Sequence, residues 1–210
     1  APDVTVRGLT EVDAIAAVGA GALALQSAES QGTSSALAGA FSVNWVDNQA
    51  VGRIGRNVQF GQDGSPIQVG DIAVQAINAG DAMSIGLGLS VSVSPKGESN
   101  AVAGSVAFSR IGNNTEAVHN GSVYAKGDLG SAASVTAYDR TRILSGGGSV
   151  ATAVSKDLSI GVGAALGISV VDSETRALIG ADGASPTITG MKTVDVGART
   201  ASRLLTFAGS

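Results

Sequence analysis

The amino-acid sequence predicts an all-β protein, a β-solenoid with a right-handed parallel β-helix as its expected form. Three observations carry that expectation: side-chain character alternates with period two, related segments return about every 61 residues, and turn-forming residues separate the alternating runs. Ile85, Leu87, Leu89, Val91 and Val93 alternate with Gly86, Gly88, Ser90 and Ser92, and a strand sends such alternate side chains to opposite faces. The same alternation runs through 101–108 and 160–170. A helix is disfavoured there, because each interior Gly costs about 1 kcal/mol relative to Ala.

The repeat is read from two anchors. Ala16, Ala76, Ala137 and Ala198 follow one another in steps of 60, 61 and 61, and Leu23, Met83, Leu144 and Leu205 keep that register. Mid-repeat, 41–48 resembles 106–113 and 167–173, each an alternating run expected to end in a polar turn. Ala50, Ala117 and Ala177 then follow, and the residues 6–13 resemble 188–195, which places Asp13 and Asp195 together. The expected division is one solenoid segment over 1–210, taken as part of a longer protein. Its repeats run over approximately 12–71, 72–132 and 133–193, with a partial one at 194–210 and residues 1–11 closing a preceding repeat. Coils of β-helices use roughly 20 residues, so a unit of this size is either about three coils or one larger multi-strand module.

Turns are expected at 62–66, 94–97, 113–114, 120–121, 126–128 and 181–183, where Gly, Pro, Asn and Asp cluster. Of the two strand faces, one is branched and apolar and the other tiny. With 44% hydrophobic residues, the expectation is partial burial of both faces. Large apolar side chains would fill the bore, and a neighbouring sheet would approach the Gly, Ala and Ser face closely.

Composition excludes several functions. There is no Cys, so disulfides, thiolate metal sites and a Cys nucleophile are out. A net charge of −4 gives no basic face for nucleic acid. A single His, His119, rules out multi-His metal sites. With one Trp, two Tyr and four Phe, two aromatic girdles of a membrane barrel cannot be built, so the chain is expected not to be membrane-embedded.

No catalytic, cofactor-binding or metal-binding residue is assigned, and the protein is not expected to be an enzyme. Asp47, Asp172, Asn113 and Asn114 are read as turn residues bonding their own backbone, rather than as Ca²⁺ or sugar ligands. Gly146, Gly147 and Gly148 lack the Asp and spacing of a Ca²⁺ repeat. Asp139, Arg140 and Arg142, echoed by Arg199 and Arg203, read as a solvated charged stripe with Arg142 and Arg203 stacked. A polyanion grip is the sharper alternative. Asp47, Glu116 and Glu174 are the acids a polysaccharide-cleaving site would draw on. His119 reads as a polar loop residue with Glu116 as its only neighbour, and Trp45 as core filling rather than a ligand platform. Asn113 and Asn120 each open an N-x-Ser/Thr pattern.

The alternating runs ending in Val46-Asp47-Asn48 and Val171-Asp172-Ser173, followed by Ala50-Val51 and Ala177-Leu178-Ile179-Gly180, resemble leukotoxin-type filamentous adhesins, close in style to filamentous-haemagglutinin passengers. The resemblance covers all the repeats and rests on style, without a diagnostic short motif. It implies a secreted or bacterial cell-surface β-helical fibre acting in adhesion. The segment would be a stalk that presents attachment sites, with specificity in loops such as 61–70 and 94–100. Its partners would be neighbouring repeats and a host-cell receptor, matrix protein or glycan, with no cofactor. The competing expectation is a polysaccharide-acting β-helix enzyme or a carbohydrate-binding module.

Overall fold

The computed structural model describes residues 2–27, 32–126 and 130–210. Each coil consists of a long strand, a second long strand and a short third strand. The first coil holds β1 (Val4–Leu25), β2 (Ser34–Ile54) and β3 (Gln59–Phe60). The second holds β4 (Ile72–Ser94), β5 (Ser99–His119) and β6 (Ser122–Tyr124). The third holds β7 (Ala132–Ser155), β8 (Ser159–Ile179) and β9 (Ile188–Thr189), and β10 (Thr193–Gly209) opens a further turn. Equivalent strands pair in parallel, giving three sheets: β1-β4-β7-β10, β2-β5-β8 and β3-β6-β9. This is a parallel β-solenoid.

One coil, not three, occupies each repeat. Ile72 lies beside Ala133 and Ala133 beside Val194, a step of 61 each time. The long strands of 21 to 24 residues explain the size of the coil. In the first coil the register differs from the sequence alignment. Val4, not Val12, pairs with Ile72, a step of 68, so Gly8 rather than Ala16 joins Ala76, Ala137 and Ala198. Likewise Ile15, not Leu23, joins Met83, Leu144 and Leu205, and Gly52, not Ala50, joins Ala117 and Ala177. The first coil is longer in both its connections. Leu25 and Ser34 lie nine positions apart where their partners Val93 and Ser99 lie six apart, and the path from Ile54 to Ile72 is longer than from His119 to Ala133.

The inside of the solenoid reverses the expected packing. In β2 the buried positions are Ser34, Ala36, Ala38, Ala40, Ser42, Asn44, Asn48, Ala50, Gly52 and Ile54. The residues between them, Leu37, Phe41, Val43 and Trp45 among them, are exposed. In β4 the interior from Ala82 onward is Ala, Ser and Gly, while Leu87 and Leu89 point out at 55% and 50% exposure. Over this part of the coil the interior is therefore filled by small side chains, and the large aliphatics clothe the outer faces. The cause is sheet separation. Toward the edge where short reversals at 95–98 and 156–158 join them, the two large sheets lie closer than the usual ~10 Å. A Cβ built on Gly88 would stand 2.4 Å from the Gly104 carbonyl oxygen. Only glycine allows that approach.

Serine hydroxyls lock the thin layer together. Ser42 donates to the Ala16 carbonyl at 3.1 Å, Ser90 to Ala36 at 2.8 Å, Ser145 to Ile168 at 3.1 Å and Ser99 to Ser92 at 2.8 Å. Toward the opposite edge the third sheet props the coil open. There Ile54, Val69, Ile72, Val74, Val123 and Val135 form an aliphatic core. A second small cluster, Ala82, Ile111 and Ile143, lies between the two zones. The coil is thus a wedge, thick at a base and thin toward a tip.

The turns predicted at 62–66, 120–121 and 181–183 lie outside the long strands, and that at 94–97 follows directly from Ser94, the last residue of β4, with Gly64, Gly97 and Gly183 at positive φ. That at 126–128 falls largely outside the described residues. The turn expected at Asn113-Asn114 is instead mid-strand in β5.

Candidate functional site

The charged and polar side chains gather across the middle of the coil, where the aliphatic base gives way to the thin tip. On the outer face of β2-β5-β8, Trp45, Arg110 and Val170 form one column, and Asp47, Gly112 and Asp172 the next. The absence of a side chain at Gly112 lets Asp47 lean over it, since a Cβ there would meet Asp47 Oδ1 at 2.4 Å. Arg110 is then held from both sides, 3.9 Å from Asp47 and 3.4 Å from Asp172. Its guanidinium lies 4.5 Å from the centre of the Trp45 ring, a cation–π contact. Trp45 Nε1 donates to Asp47 Oδ2 at 2.9 Å. Trp45 is 61% exposed, so it is an outer-face residue and not core filling. Asp47 and Asp172 are likewise outward strand residues rather than turn residues.

The other two candidate acids, Glu116 and Glu174, are also paired. Glu116 accepts from Arg53 at 2.8 Å, and Arg53 reaches Asp182 at 3.3 Å. Glu116 chiefly, with Asp182, raises the Arg53 pKa above its usual value. Glu174 pairs with Arg176. Glycoside cleavage needs two carboxyl groups facing each other across a substrate with one free to take up a proton. Here Asp47, Glu116, Asp172 and Glu174 each face a guanidinium on an open sheet surface.

On β1-β4-β7-β10 the outward column Asp13, Asp81, Arg142 and Arg203 crosses the sheet in register. Arg142 and Arg203 do stack side by side, and Asp81 lies 3.9 Å from Arg142. Asp195 belongs to a different column, beside Ser134, so it does not accompany Asp13. The next column toward the tip is Ile15, Met83, Leu144 and Leu205, and the two columns line a shallow groove of about 450 Å³.

Inside the coil at the same height runs a polar ladder that composition did not reveal. Asn48 donates to Asn113 Oδ1 at 3.1 Å, and Asn113 donates to Asp139 Oδ1 at 2.7 Å and to Thr141 at 2.6 Å. Asp139 is fully buried, not part of a solvated stripe. Period-two parity was the signal that separates Asp139 from its outward neighbours Arg140 and Arg142. Asn113 lies 5% and Asn120 5% exposed, and Asn120 Oδ1 accepts from the Ala181 backbone at 2.8 Å, so neither amide is open to glycosylation in this fold.

His119 closes β5 and is 1% exposed, not a polar loop residue, and Glu116 projects from the other face of the strand. Burial, partly offset by the Gly121 backbone, lowers its pKa. Gly146, Gly147 and Gly148 lie within β7, where Gly146 makes room for the Phe207 ring. Among the described residues no group of three or more His, Asp or Glu side chains is arranged to hold a metal ion.

No family model, curated protein or solved structure matches this chain.

Proposed function

We infer that the chain is a structural segment of a secreted or surface-displayed bacterial adhesin, a passenger-type β-solenoid that presents attachment surfaces. The observation that carries the reading is the coil-on-coil ladder. Each coil completes the backbone pairing of the one before it, as in β1-β4-β7-β10, so the architecture extends by adding repeats. The likeness in style to leukotoxin-type filamentous adhesins agrees with this.

The geometry sharpens what such a segment supplies. Each coil of 61 to 68 residues advances the stack by only one strand spacing, about 4.8 Å. The same residues in smaller coils would build a rod roughly three times longer. The chain invests in breadth, and its broad sheet faces are what it offers. The polysaccharide-acting alternative is weakened because its candidate acids are all ion-paired.

Binding of the 210-residue chain to host cells, immobilised matrix proteins and a glycan array tests the reading. A purely presenting segment gives no saturable binding to any protein or glycan. Tight saturable binding transfers the adhesive role to the segment itself, and turnover of a polysaccharide would overturn the proposal.

A further inference from the structure

The charges are segregated along the coil. No Asp, Glu, Lys, Arg or His occurs in 14–27, 32–46, 82–95, 99–109, 143–155, 158–171 or 204–210. These segments form the tip-side half of both large sheets. Gly88 faces Gly104 and Gly86 faces Val106 across the thin interior, so positions on the two sheets can be matched in height. Asp81 and Arg142 on one face then stand level with Arg110 and Asp47 on the other, and the charged zone ends at one height on both sides.

Beyond that line both outer faces are aliphatic. Leu23, Leu25, Leu87, Leu89, Val150 and Val154 are exposed on one, and Leu37, Phe41, Val43, Val102, Val162 and Leu166 on the other. From Ile15 to Leu25, or from Met83 to Val93, ten strand steps of ~3.3 Å make a band about 33 Å deep. A bilayer's hydrocarbon core is ~30 Å thick. At the tip the polar character returns with Lys96, Glu98, Lys156 and Asp157, all exposed. At the inner boundary Trp45 combines an exposed ring with a satisfied Nε1, the disposition favoured by an aromatic side chain at a lipid–water interface.

We propose that the thin half of the solenoid inserts edge-on into a phospholipid bilayer and spans it, with the reversals at 95–98 and 156–158 on the far side and the charged middle and aliphatic base on the near side. Spanning structures must satisfy backbone groups internally. Coil-to-coil pairing does this for β4, β5 and β7, while β1, β2, β8 and β10 are each paired along one edge and need a flanking coil along the other; the interior hydroxyls of Ser42, Ser90 and Ser99 are bonded within the layer. Apolar outside and small polar inside is the distribution of a membrane β-barrel, reached here without a closed barrel. A barrel needs aromatic girdles around its whole circumference, whereas this blade crosses the interface only where its two sheets do. The proposal goes beyond the adhesin reading and does not depend on it.

The test mixes the full 210-residue chain with unilamellar vesicles of phosphatidylcholine and phosphatidylglycerol. The chain should float with the vesicles, with Trp45 emission shifted to the blue and quenched more strongly by lipids brominated near the headgroup than near the chain end. The cysteine-free background allows Lys156→Cys. Its thiol should react with an impermeant reagent only after the vesicles are lysed. Leu87→Lys and Leu166→Lys, exposed positions at mid-band, should keep the far-ultraviolet circular dichroism of the parent. Each should reduce vesicle partitioning by at least about tenfold, as lysine at mid-bilayer does on the lipid face of a barrel. Failure to float, labelling of Lys156→Cys in intact vesicles, undiminished flotation of both lysine variants, or a lipid-indifferent oligomer that buries Trp45 would each overturn the proposal. None of these outcomes touches the binding assays on cells and glycans.

Discussion

The base and the tip of one coil are made from the same strands yet hold together differently. At the base, Ile72, Val74, Val123 and Val135 fill a wide interior propped open by β3, β6 and β9, and cohesion comes from buried aliphatic area. At the tip, Ala36, Ala38, Ser84, Gly88 and Ser90 leave little apolar area to bury. Cohesion there comes from close backbone contact and serine hydrogen bonds across the layer. The lesson is that a buried face need not be the greasier face. Where two sheets lie this close, size decides what goes inside, and the greasier residues are left outside.

The largest test of this contrast is overfilling the tip. Gly88→Val places a branched side chain where even one carbon meets the Gly104 carbonyl. It should cost at least about 3 kcal/mol in chemical denaturation, whereas Gly19→Val, with nothing within 4 Å of its Cβ, should be close to neutral. An equal response at both sites would remove the claim that the tip is thin. Emptying the base comes next. Ile72→Ala should cost about 3 kcal/mol by leaving a cavity in the aliphatic core, and a loss below about 1 kcal/mol would argue that the base is not tightly packed.

A smaller effect is expected from the hydroxyl lattice. Ser90→Ala removes one donor to the Ala36 carbonyl and should cost about 1 kcal/mol. The corresponding change at exposed Ser35 should be within about 0.5 kcal/mol, and a thermal melt distinguishes them.

The gentlest perturbation is pH at the boundary between base and middle. The folded state holds His119 with a pKa below the usual 6.5. The unfolded chain therefore binds its proton first as pH falls. Stability is full above about 6.5 and declines as pH drops from there to the folded pKa, below which this contribution is flat. Denaturation midpoints measured between pH 8 and 5 should show the decline, and His119→Gln should flatten it. A midpoint that rises with acidification would contradict the burial of this imidazole.

The sequence by itself determined a good deal of this protein. Alternation in 85–93 and 160–170 specifies extended strands, because only period two separates branched from tiny residues there. The 61-residue spacing of Ala76, Ala137 and Ala198 specifies parallel stacking in register. Those signals are local or periodic, so they survive in one dimension. The charged columns were partly legible for the same reason, as with Arg142 beside Arg203, while the burial of Asp139 and His119 was not.

Tertiary structure decided the rest. Alternation defines two faces without saying which is inside, and general hydrophobicity points to the wrong one for the tip. The choice depends on the distance between two sheets, which is small toward the reversals such as 95–98 and widened by the third sheet at the other edge. The register of the first coil was decided in the same way. Its connections are longer, and hydrogen-bond pairing with β4, rather than residue likeness, fixed Val4 against Ile72, whereas the likeness of 41–48 to 106–113 already matched the register of β2 on β5. Sheet spacing and loop length are properties of the closed coil, and no single segment encodes them.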